Sequence, residues 1–312
     1  MTRPVRGLVP VLATPFTADG SLDRASLRRL VEWQLSSGAD GVAVFGMASE
    51  GFALTGADRA AVLEDVTAVA GGAVPVVAGV SPTSLVTALE QVDQAVAGGA
   101  DALMVLPPYL AKPSAQQLVD FYGAVGERAG GASVMVQDAA GVTGVPMPVP
   151  LITEFGKLAG VDSVKVESAP TAPKIEAVAA AAPDGFEVLG GQNAFFLLEE
   201  LAAGAVGTMP ACEFTDALRV VLDDWSAGRV ADAHAAYERL LPLIRFGMQP
   251  GLAWAVHKEV LVRRGIVASA TVRMPAQDLS EAVRGQLEGV LDRLGLPAAA
   301  APVPASRVEK GR

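Results

Sequence analysis

The chain has 312 residues, of which 51% are hydrophobic and 19% are charged, and its formal net charge is −10 at pH 7. This length and apolar content are sufficient for a large core, and an acidic chain without a basic run argues against nucleic acid and anionic membrane surfaces as partners. Cys212 is the only cysteine, which excludes an internal disulfide framework and favours the reducing cytoplasm, and no apolar run reaches the roughly 18 residues that cross a bilayer.

Eight short apolar segments, each followed by a helical pattern, come first along the chain. The strands are predicted at 7–14, 41–45, 76–80, 102–106, 133–137, 161–167, 187–189 and 206–209. The helices that follow them are predicted at 23–37, 57–70, 84–98, 114–129, 150–158, 171–182, 195–203 and from about residue 215. The apolar runs are continuous rather than alternating, which is typical of parallel strands buried on both faces. Eight such units predict an α/β fold of the (β/α)8 TIM-barrel type; a doubly wound open sheet is the alternative, but no G-x-G-x-x-G follows the first strand.

The remainder of the chain shows a helical pattern only. Helices are predicted at 230–248, 253–264 and 279–294. We therefore expect a barrel over residues 1–228 and a C-terminal helical layer, packed on the barrel, over residues 229–296. The last segment, 297–312, begins P-A-A-A-A-P-V-P-A-S and is predicted to be a disordered tail because of its low complexity.

One lysine lies inside a predicted strand. The segment V-D-S-V-K-V-E-S, residues 161–168, places Lys165 among β-branched residues. A lysine is costly to bury as an ammonium ion, and the neutral amine is the form that attacks a carbonyl carbon to make a Schiff base. The alternative is a structural lysine paired with a neighbouring carboxylate. Glu167 shares a strand face with Lys165, and it either serves as a simple counter-ion or helps to set the charge state of the amine.

We look for candidate site residues at the predicted strand ends, because (β/α)8 enzymes have their active sites at the carboxyl ends of the strands. These ends are Thr14, the loop 46–50, Val80 with Ser81, Tyr109, Gln137, Lys165, Gly190 with Gly191, and Met209. Among them, only Lys165 is a nucleophile that needs no separate base. The loop 46–50 offers backbone N–H groups that suit a carboxylate, although a plain βα turn is the alternative. The Gly190-Gly191 pair is either a tight turn or a place where backbone approaches a ligand.

Several segments agree in order and spacing with one known family. They are G-L-V-P-V-L-A-T-P-F-T-A-D-G near the start, G-M-A-S-E-G, P-P-Y-L-A-K-P-S, V-Q-D-A-A-G-V-T-G, V-K-V-E-S and G-A-V-G-T-M-P-A. The chain resembles the dihydrodipicolinate synthase / N-acetylneuraminate lyase family of class I, Schiff-base-forming aldolases over about residues 5–295. This resemblance implies a (β/α)8 barrel with a helical extension, usually assembled as a homotetramer. It also implies an imine between a lysine and a 2-oxo acid, typically pyruvate, without a metal or organic cofactor.

The same resemblance implies roles for individual residues. Lys165 corresponds to the imine-forming lysine, and Tyr109 to a tyrosine that reaches into the site of a neighbouring subunit. Met47 and Ala48 occupy the places of two threonines that bind the carboxylate of the 2-oxo acid, so backbone donors and Ser49 remain for that role. From their positions at the strand ends, rather than from the resemblance, Gly190, Gly191 and Met209 are expected to contact the substrate as well. A homo-oligomer, either a tetramer or a dimer, is therefore expected.

Two further positions depart from the family pattern. Gln137 stands where the family has its acid/base tyrosine, and a glutamine cannot exchange protons as a phenol does. Val142 stands where the synthase has an arginine that binds the carboxylate of the second substrate. These departures argue against a true dihydrodipicolinate synthase. Glu167, Tyr109, Asp138 or a bound water is then expected to supply the proton transfer.

The sequence thus predicts a Schiff-base-forming lyase, either an aldolase or a dehydratase, that acts on pyruvate or a related 2-oxo acid. The alternative is a non-catalytic, 2-oxo acid-binding homologue of the same fold, which the lost tyrosine and threonines would suit. A metal-dependent aldolase is disfavoured, because the two histidines, His234 and His257, both lie in the C-terminal third.

Overall fold

The computed structural model describes residues 4–298. Within this range, eight parallel strands form one sheet: β1 (Gly7–Leu8), β2 (Val42–Val44), β3 (Val76–Val80), β4 (Ala102–Val105), β5 (Ser133–Asp138), β6 (Val161–Val166), β7 (Glu187–Gly190) and β8 (Gly207–Thr208). They are hydrogen-bonded in the order β1-β8-β7-β6-β5-β4-β3-β2, and Val11 pairs with Ala43 to join the two edges. The sheet is therefore closed on itself, and the predicted (β/α)8 barrel is confirmed.

Helices surround the barrel and extend it at the C-terminus. They are α1 (Arg24–Ser36), α2 (Gly56–Ala70), α3 (Leu85–Ala97), α4 (Ala115–Arg128), α5 (Ala140–Thr143), α6 (Val149–Phe155), α7 (Thr171–Ala181), α8 (Leu197–Ala202), α9 (Thr215–Ser226), α10 (Val230–Phe246), α11 (Ala253–Arg263) and α12 (Glu281–Leu294). Short 3-10 turns at Met47–Ser49 and Gln192–Ala194 lie just beyond β2 and β7. Across residues 4–298, we find no helix whose length and apolar character would let it span a bilayer.

Two segments differ from their predicted secondary structure. The first strand was expected over 7–14, but Pro10 has no N–H for the ladder, so β1 ends at Leu8. Beyond Pro10 the chain is held by single hydrogen bonds, from Val11 N to the Pro210 carbonyl at 2.7 Å and from Leu12 N to the Ala43 carbonyl at 2.8 Å. The segment 138–146 lies between a predicted strand and a predicted helix, and it contains the short helix α5, which was not predicted.

The apolar side chains pack in separate layers. The inside of the barrel is filled by Val9, Val11, Ala43, Val77, Met104, Met135, Leu189 and Met209. A second core joins α8 and α9 of the barrel to α10, α11 and α12. The expected boundary at residue 229 falls in the turn between α9 and α10, and the division into barrel and helical layer stays a prediction. A disordered tail was predicted at 297–312. Its residues after Ala298 lie outside the part of the chain that the structure describes.

Candidate active site

A cavity of about 320 Å³ opens at the carboxyl ends of the strands. Five of the predicted site residues line it, namely Met47, Ala48, Gln137, Lys165 and Met209. Gln137 and Lys165 are register partners on the neighbouring strands β5 and β6, so their side chains lie next to each other. Both side chains are buried. The closure of the barrel therefore collects candidates from four different strand ends at one place.

Glu167 is the direct partner of Lys165 in this cavity. Lys165 Nζ lies 3.1 Å from Glu167 Oε1. Gln137 Nε2 donates to Glu167 Oε2 at 2.7 Å, and the backbone N–H of Gln192 donates to Glu167 Oε1 at 3.2 Å. The carboxylate can only accept and the amide NH₂ can only donate, so Gln137 holds Glu167 in place. The site thus contains an amine beside an oriented carboxylate.

The ion pair is also what a purely structural role for Lys165 would require. A structural lysine does not need to line a cavity, whereas Lys165 lines this one. Lys258 on α11 provides the contrast, because it is equally buried but lies outside the residues that line this cavity. Lys258 is paired with Glu50 and donates to the Thr271 carbonyl at 2.8 Å. Burial is the main cause that lowers the pKa of Lys258 to about 8. The location of the amine, rather than its burial, separates the two lysines.

The turn after β2 presents backbone rather than hydroxyl groups. Gly46 precedes the 3-10 turn Met47–Ser49, so the N–H groups of Met47 and Ala48 open the turn and have no partner inside it. Both residues line the cavity, whereas Ser49 is buried behind it. The Ser49 carbonyl accepts a hydrogen bond from Thr14 Oγ1 at 2.7 Å. Backbone N–H groups are therefore the donors that this turn can offer to a carboxylate.

Gly190 and Gly191 let the backbone pass directly behind the ion pair. A Cβ atom built on Gly191 would lie 2.5 Å from Glu167 Cγ and 2.8 Å from Lys165 Cε. A Cβ atom on Gly190 would lie 1.9 Å from Glu200 Oε2. Glu200 is fully buried, and burial is the main cause that raises its pKa to about 7. Gly191 thus packs against Glu167 and Lys165, and Gly190 against Glu200, whereas contact of this pair with a substrate stays a prediction.

We expect Gly191→Ala to reduce the reaction of Lys165 with pyruvate by about 10²-fold, because the added methyl group must displace Lys165 or Glu167, and misplacement by 1 Å has about this effect on reactivity. The measurement is the rate of borohydride trapping, followed by mass spectrometry. Gly141→Ala is the matched control, since Gly141 lines the same cavity and a Cβ atom there meets no atom within 4 Å. Equal trapping rates in the two variants would contradict the close-approach argument.

Tyr109 and Val142 lie at the edge of the site. Tyr109 lines a smaller neighbouring cavity of about 140 Å³, together with Met47 and Val142. Val142 also lines the larger cavity and is exposed. The apolar and exposed Val142 thus lies at the edge of the larger cavity, and Tyr109 lines the smaller cavity rather than the one that contains Lys165.

Asp138 is turned away from the cavity. Its carboxylate is paired with Lys174 at 2.6 Å and accepts a hydrogen bond from Ser168 Oγ at 2.8 Å. Burial is the main cause that raises the pKa of Asp138 above its usual value. Of the side chains considered for proton transfer, Glu167 alone is in contact with Lys165 within the described residues.

Some lining residues were not found by the sequence analysis. Gln192 and Asn193, beyond β7, and Trp254 and His257, on α11, line the cavity. Trp254 Nε1 donates to the Met47 carbonyl at 2.6 Å and so ties α11 to the turn after β2. Gln192 and Asn193 come directly after Gly190-Gly191, and this position could have identified them from the sequence. Nothing in the local sequence of α11 indicates that Trp254 and His257 belong to the site. In residues 4–298, no group of three or more metal-ligating side chains is placed to hold an ion.

Gln137→Leu is expected to weaken catalysis about 10- to 100-fold, because a hydrogen bond to a charged group typically contributes about 1.5–3 kcal/mol. The measurement is kcat/KM on a 4-hydroxy-2-oxo acid. Gln192→Leu is the matched control, because the Gln192 side chain donates to the backbone carbonyl of Glu167 and leaves the carboxylate untouched. A larger loss in Gln192→Leu than in Gln137→Leu would show that Gln137 does not act through Glu167.

The closed parallel barrel, with an amine and a carboxylate in contact in a cavity at its strand ends, defines a (β/α)8 protein with an enzyme-type site. The sequence model of the Dihydrodipicolinate synthetase family matches residues 4–294, and the chain belongs to this family. The resemblance inferred from the sequence is thereby confirmed.

Relatives and solved structures agree with this assignment. The chain is 32% identical to L-2-keto-3-deoxyarabonate dehydratase from Azospirillum brasilense, over 93% of this chain and 94% of that protein. It is 30% identical to 4-hydroxy-tetrahydrodipicolinate synthase from Chlorobium luteolum, over 95% and 99%. Dihydrodipicolinate synthase from Rhodopseudomonas palustris superposes with a TM-score of 0.87 at 27% identity, covering 93% of this chain and 97% of that one. A prophage protein of the same family from E. coli K12, solved in complex with pyruvate, gives a TM-score of 0.84 at 25% identity and covers 93% and 99%.

Proposed function

We propose that this protein is a Schiff-base-forming lyase that dehydrates a 4-hydroxy-2-oxo acid and is distinct from a true dihydrodipicolinate synthase. The observation that carries the proposal is the 3.1 Å contact between Lys165 Nζ and a Glu167 carboxylate that Gln137 orients inside the cavity. An amine that forms an imine and a carboxylate that moves protons beside it are the two groups that such a dehydration needs. The similarity to a 2-keto-3-deoxy sugar acid dehydratase supports the substrate class.

The proposed reaction begins at the C2 carbonyl of the substrate. The neutral Lys165 amine adds to C2, and loss of the C2 oxygen as water, with one proton taken up from solvent, gives a protonated imine. Glu167 then takes a proton from C3, and the electron pair of that C–H bond forms an enamine. Glu167 returns the proton to the C4 hydroxyl, which leaves as water while the enamine electrons form the C3–C4 double bond. Addition of water to C2 of this conjugated iminium releases Lys165 and an unsaturated 2-oxo acid that has lost one molecule of water.

The residues around Lys165 favour dehydration over aldol cleavage. Aldol cleavage needs a base on the C4 hydroxyl, and the family tyrosine that would serve is Gln137 here. Glu167 can serve dehydration alone, because the C3 proton and the departing C4 hydroxyl are on adjacent atoms. The backbone N–H groups of Met47 and Ala48 would bind the C1 carboxylate. Val142 leaves no guanidinium for a second carboxylate, which supports the distinction from the synthase.

Trapping with pyruvate and borohydride tests the proposal. We expect one reduced adduct, located at Lys165 by peptide mass spectrometry, and no adduct at the buried Lys258. Incubation with 4-hydroxy-2-oxo acids should then yield products that are lighter by one water. Release of pyruvate and an aldehyde would instead identify an aldolase. Trapping without any turnover would support the non-catalytic 2-oxo acid-binding alternative.

We further propose a homo-oligomer, a dimer or a tetramer, with Tyr109 near a subunit interface. The support is the family membership and the position of Tyr109 at the edge of the site, where a neighbouring subunit would be needed to complete its surroundings. Light scattering at micromolar protein concentration should give a mass at least twice that of the 31.9 kDa chain. A monomeric mass would refute this proposal and leave the Lys165 chemistry untouched.

A further inference from the structure

Left-handed backbone is confined to two turns of the site. Within residues 4–298, every residue other than glycine that has a positive φ lies in a turn after β2 or after β7. The first, the β2 turn, contains Phe45 and Glu50, with φ values of 62° and 53°. The second, the β7 turn, contains Gln192, Asn193 and Ala194, with φ values of 47°, 56° and 59°. Side-chain-bearing residues seldom keep such angles unless the surrounding structure holds them there, and this strain is concentrated at active sites.

Tyr237 on α10 holds the end of the β7 turn. Its side chain is buried, and its Oη lies 2.8 Å from the carbonyl oxygen of Ala194 and 2.6 Å from that of Phe195, so its one proton can serve either. The same Oη accepts a hydrogen bond from the N–H of Leu197 at 3.3 Å. The phenol therefore joins the β7 turn to α8 on one side and to α10 on the other.

The β7 turn is also what holds the Glu167 carboxylate from behind. The backbone N–H of Gln192 donates to Glu167 Oε1 at 3.2 Å, and the Gln192 side chain donates to the Glu167 carbonyl oxygen. Glu167 Oε1 is the same atom that lies 3.1 Å from Lys165 Nζ. Because the direction of the Gln192 N–H depends on the conformation of the turn, a hydroxyl group on α10 helps to set where Glu167 lies relative to Lys165.

Helix α11 contacts the β2 turn at two points. Trp254 Nε1 donates to the Met47 carbonyl at 2.6 Å, and Lys258, one helical turn later, is paired with Glu50. The Met47 carbonyl and the Ala48 N–H belong to one planar trans peptide group, so they point in opposite directions. A hydrogen bond that fixes the carbonyl therefore also fixes the N–H, which is one of the two donors proposed to bind the C1 carboxylate.

We propose that Tyr237 and Trp254 are positioning residues that serve different steps of the reaction. Tyr237 positions Glu167 for proton transfer, and Trp254 positions the β2 turn for the C1 carboxylate. Tyr237 does not line the cavity, and Trp254 acts through the Met47 carbonyl. This proposal rests on the proposed function, which gives Glu167 and the β2 turn their roles.

Tyr237→Phe and Trp254→Phe test the proposal, since each keeps an aromatic ring and removes one hydrogen-bond donor. In Tyr237→Phe we expect kcat on 4,5-dihydroxy-2-oxopentanoate to fall by about 10-fold or more, with KM unchanged within about 3-fold, because a small displacement of a reacting group has a large effect on rate. In Trp254→Phe we expect KM to rise by about 10-fold, with kcat unchanged within about 3-fold, because a contact made equally in the ground and transition states affects KM alone.

Borohydride trapping examines the carboxylate contact by itself. The pyruvate concentration that gives half-maximal trapping at Lys165 should rise by about 10-fold in Trp254→Phe and stay within about 3-fold of the wild-type value in Tyr237→Phe. Methyl pyruvate has the same ketone but no carboxylate charge, so Trp254→Phe should trap it as the wild type does. A contact that only stabilises the fold would not distinguish the acid from its ester.

Tyr122→Phe and Trp225→Phe are the matched controls. Tyr122 is buried and donates to the Val105 carbonyl at 3.0 Å, and neither Tyr122 nor Trp225 lines the cavity. Both variants should keep the wild-type kcat, KM and trapping, and thermal unfolding checks that every variant is folded. If Tyr237→Phe does not fold, its double variant with Ala194→Gly is measured instead, because glycine adopts a left-handed φ without strain.

The wild-type protein separates failure of this proposal from failure of the proposed function. If it traps no pyruvate at Lys165, the proposed function fails and this proposal fails with it. If it traps pyruvate but dehydrates no 4-hydroxy-2-oxo acid, the role of Tyr237 falls with the dehydration, and the trapping of acid and ester still decides the role of Trp254. If it does both, but kcat and KM change together or not at all in the folded variants, only the assignment of Tyr237 and Trp254 is wrong.

Discussion

Lys165→Arg is expected to abolish the borohydride-trapped adduct with pyruvate and to reduce turnover to background, a loss on the order of 10⁶-fold or more. A guanidinium group stays protonated at any practical pH and cannot attack a carbonyl carbon. The replacement keeps a positive charge beside Glu167, so an uncompensated buried carboxylate cannot explain the loss. Intact-mass and peptide mass spectrometry measure the adduct, and a product assay with a 4-hydroxy-2-oxo acid measures turnover.

Lys174→Arg is the control for this experiment. Lys174 is partly buried and paired with Asp138, but it does not line the cavity. This variant should trap pyruvate as the wild type does. An adduct that survives Lys165→Arg, whether at Lys258 or at another lysine, would mean that the amine of β6 is a structural ion-pair partner and that the imine forms elsewhere.

Glu167→Gln should separate imine formation from the later proton transfers. The amide keeps the size of the side chain but cannot carry a proton, so we expect turnover to fall by about 10²–10⁴-fold, the usual contribution of a placed acid or base. The Lys165 amine is left in place, and the pyruvate adduct should therefore still form. The measurement compares the rate of trapping with kcat on the same protein preparation.

Glu167→Asp is the conservative companion of this variant. It retains a carboxylate but withdraws it from Lys165 and Gln137 by one methylene group, so it should recover part of the activity lost in Glu167→Gln. If Glu167→Gln turns over substrate as fast as the wild type, Glu167 is only a counter-ion. If the adduct and the turnover disappear together, Glu167 is required already for imine formation.

Lys165→Arg and Glu167→Gln together distinguish the two residues by the step each one serves. A protein that binds 2-oxo acids without catalysis would lose the adduct in Lys165→Arg but would show no turnover to lose in Glu167→Gln. A dehydratase would lose both the adduct and turnover in Lys165→Arg. In Glu167→Gln it would lose most of its turnover but keep the adduct. The pair of variants therefore tests the proposed function against its non-catalytic alternative, with turnover measured on a 4-hydroxy-2-oxo acid.

The fold and the central lysine could be predicted from the sequence alone. Apolar runs and helical patterns are local properties, so eight strand–helix units and the position of Lys165 within the sixth strand could be read directly. The pairing of Glu167 with Lys165 was also accessible, because alternate residues of a strand share a face. The first strand was predicted to be longer than it is. Residues 7–14 are strand-like apart from Pro10, which interrupts the run.

Only the tertiary structure decided how the groups of the site are combined. The hydrogen bond from Gln137 to Glu167 depends on the register between β5 and β6, which no single segment encodes. The contacts of Tyr237 and Trp254 with the β7 and β2 turns depend on α10 and α11 packing against the barrel. These contacts join residues far apart in the chain, and their geometry is set by barrel closure and side-chain packing rather than by local sequence.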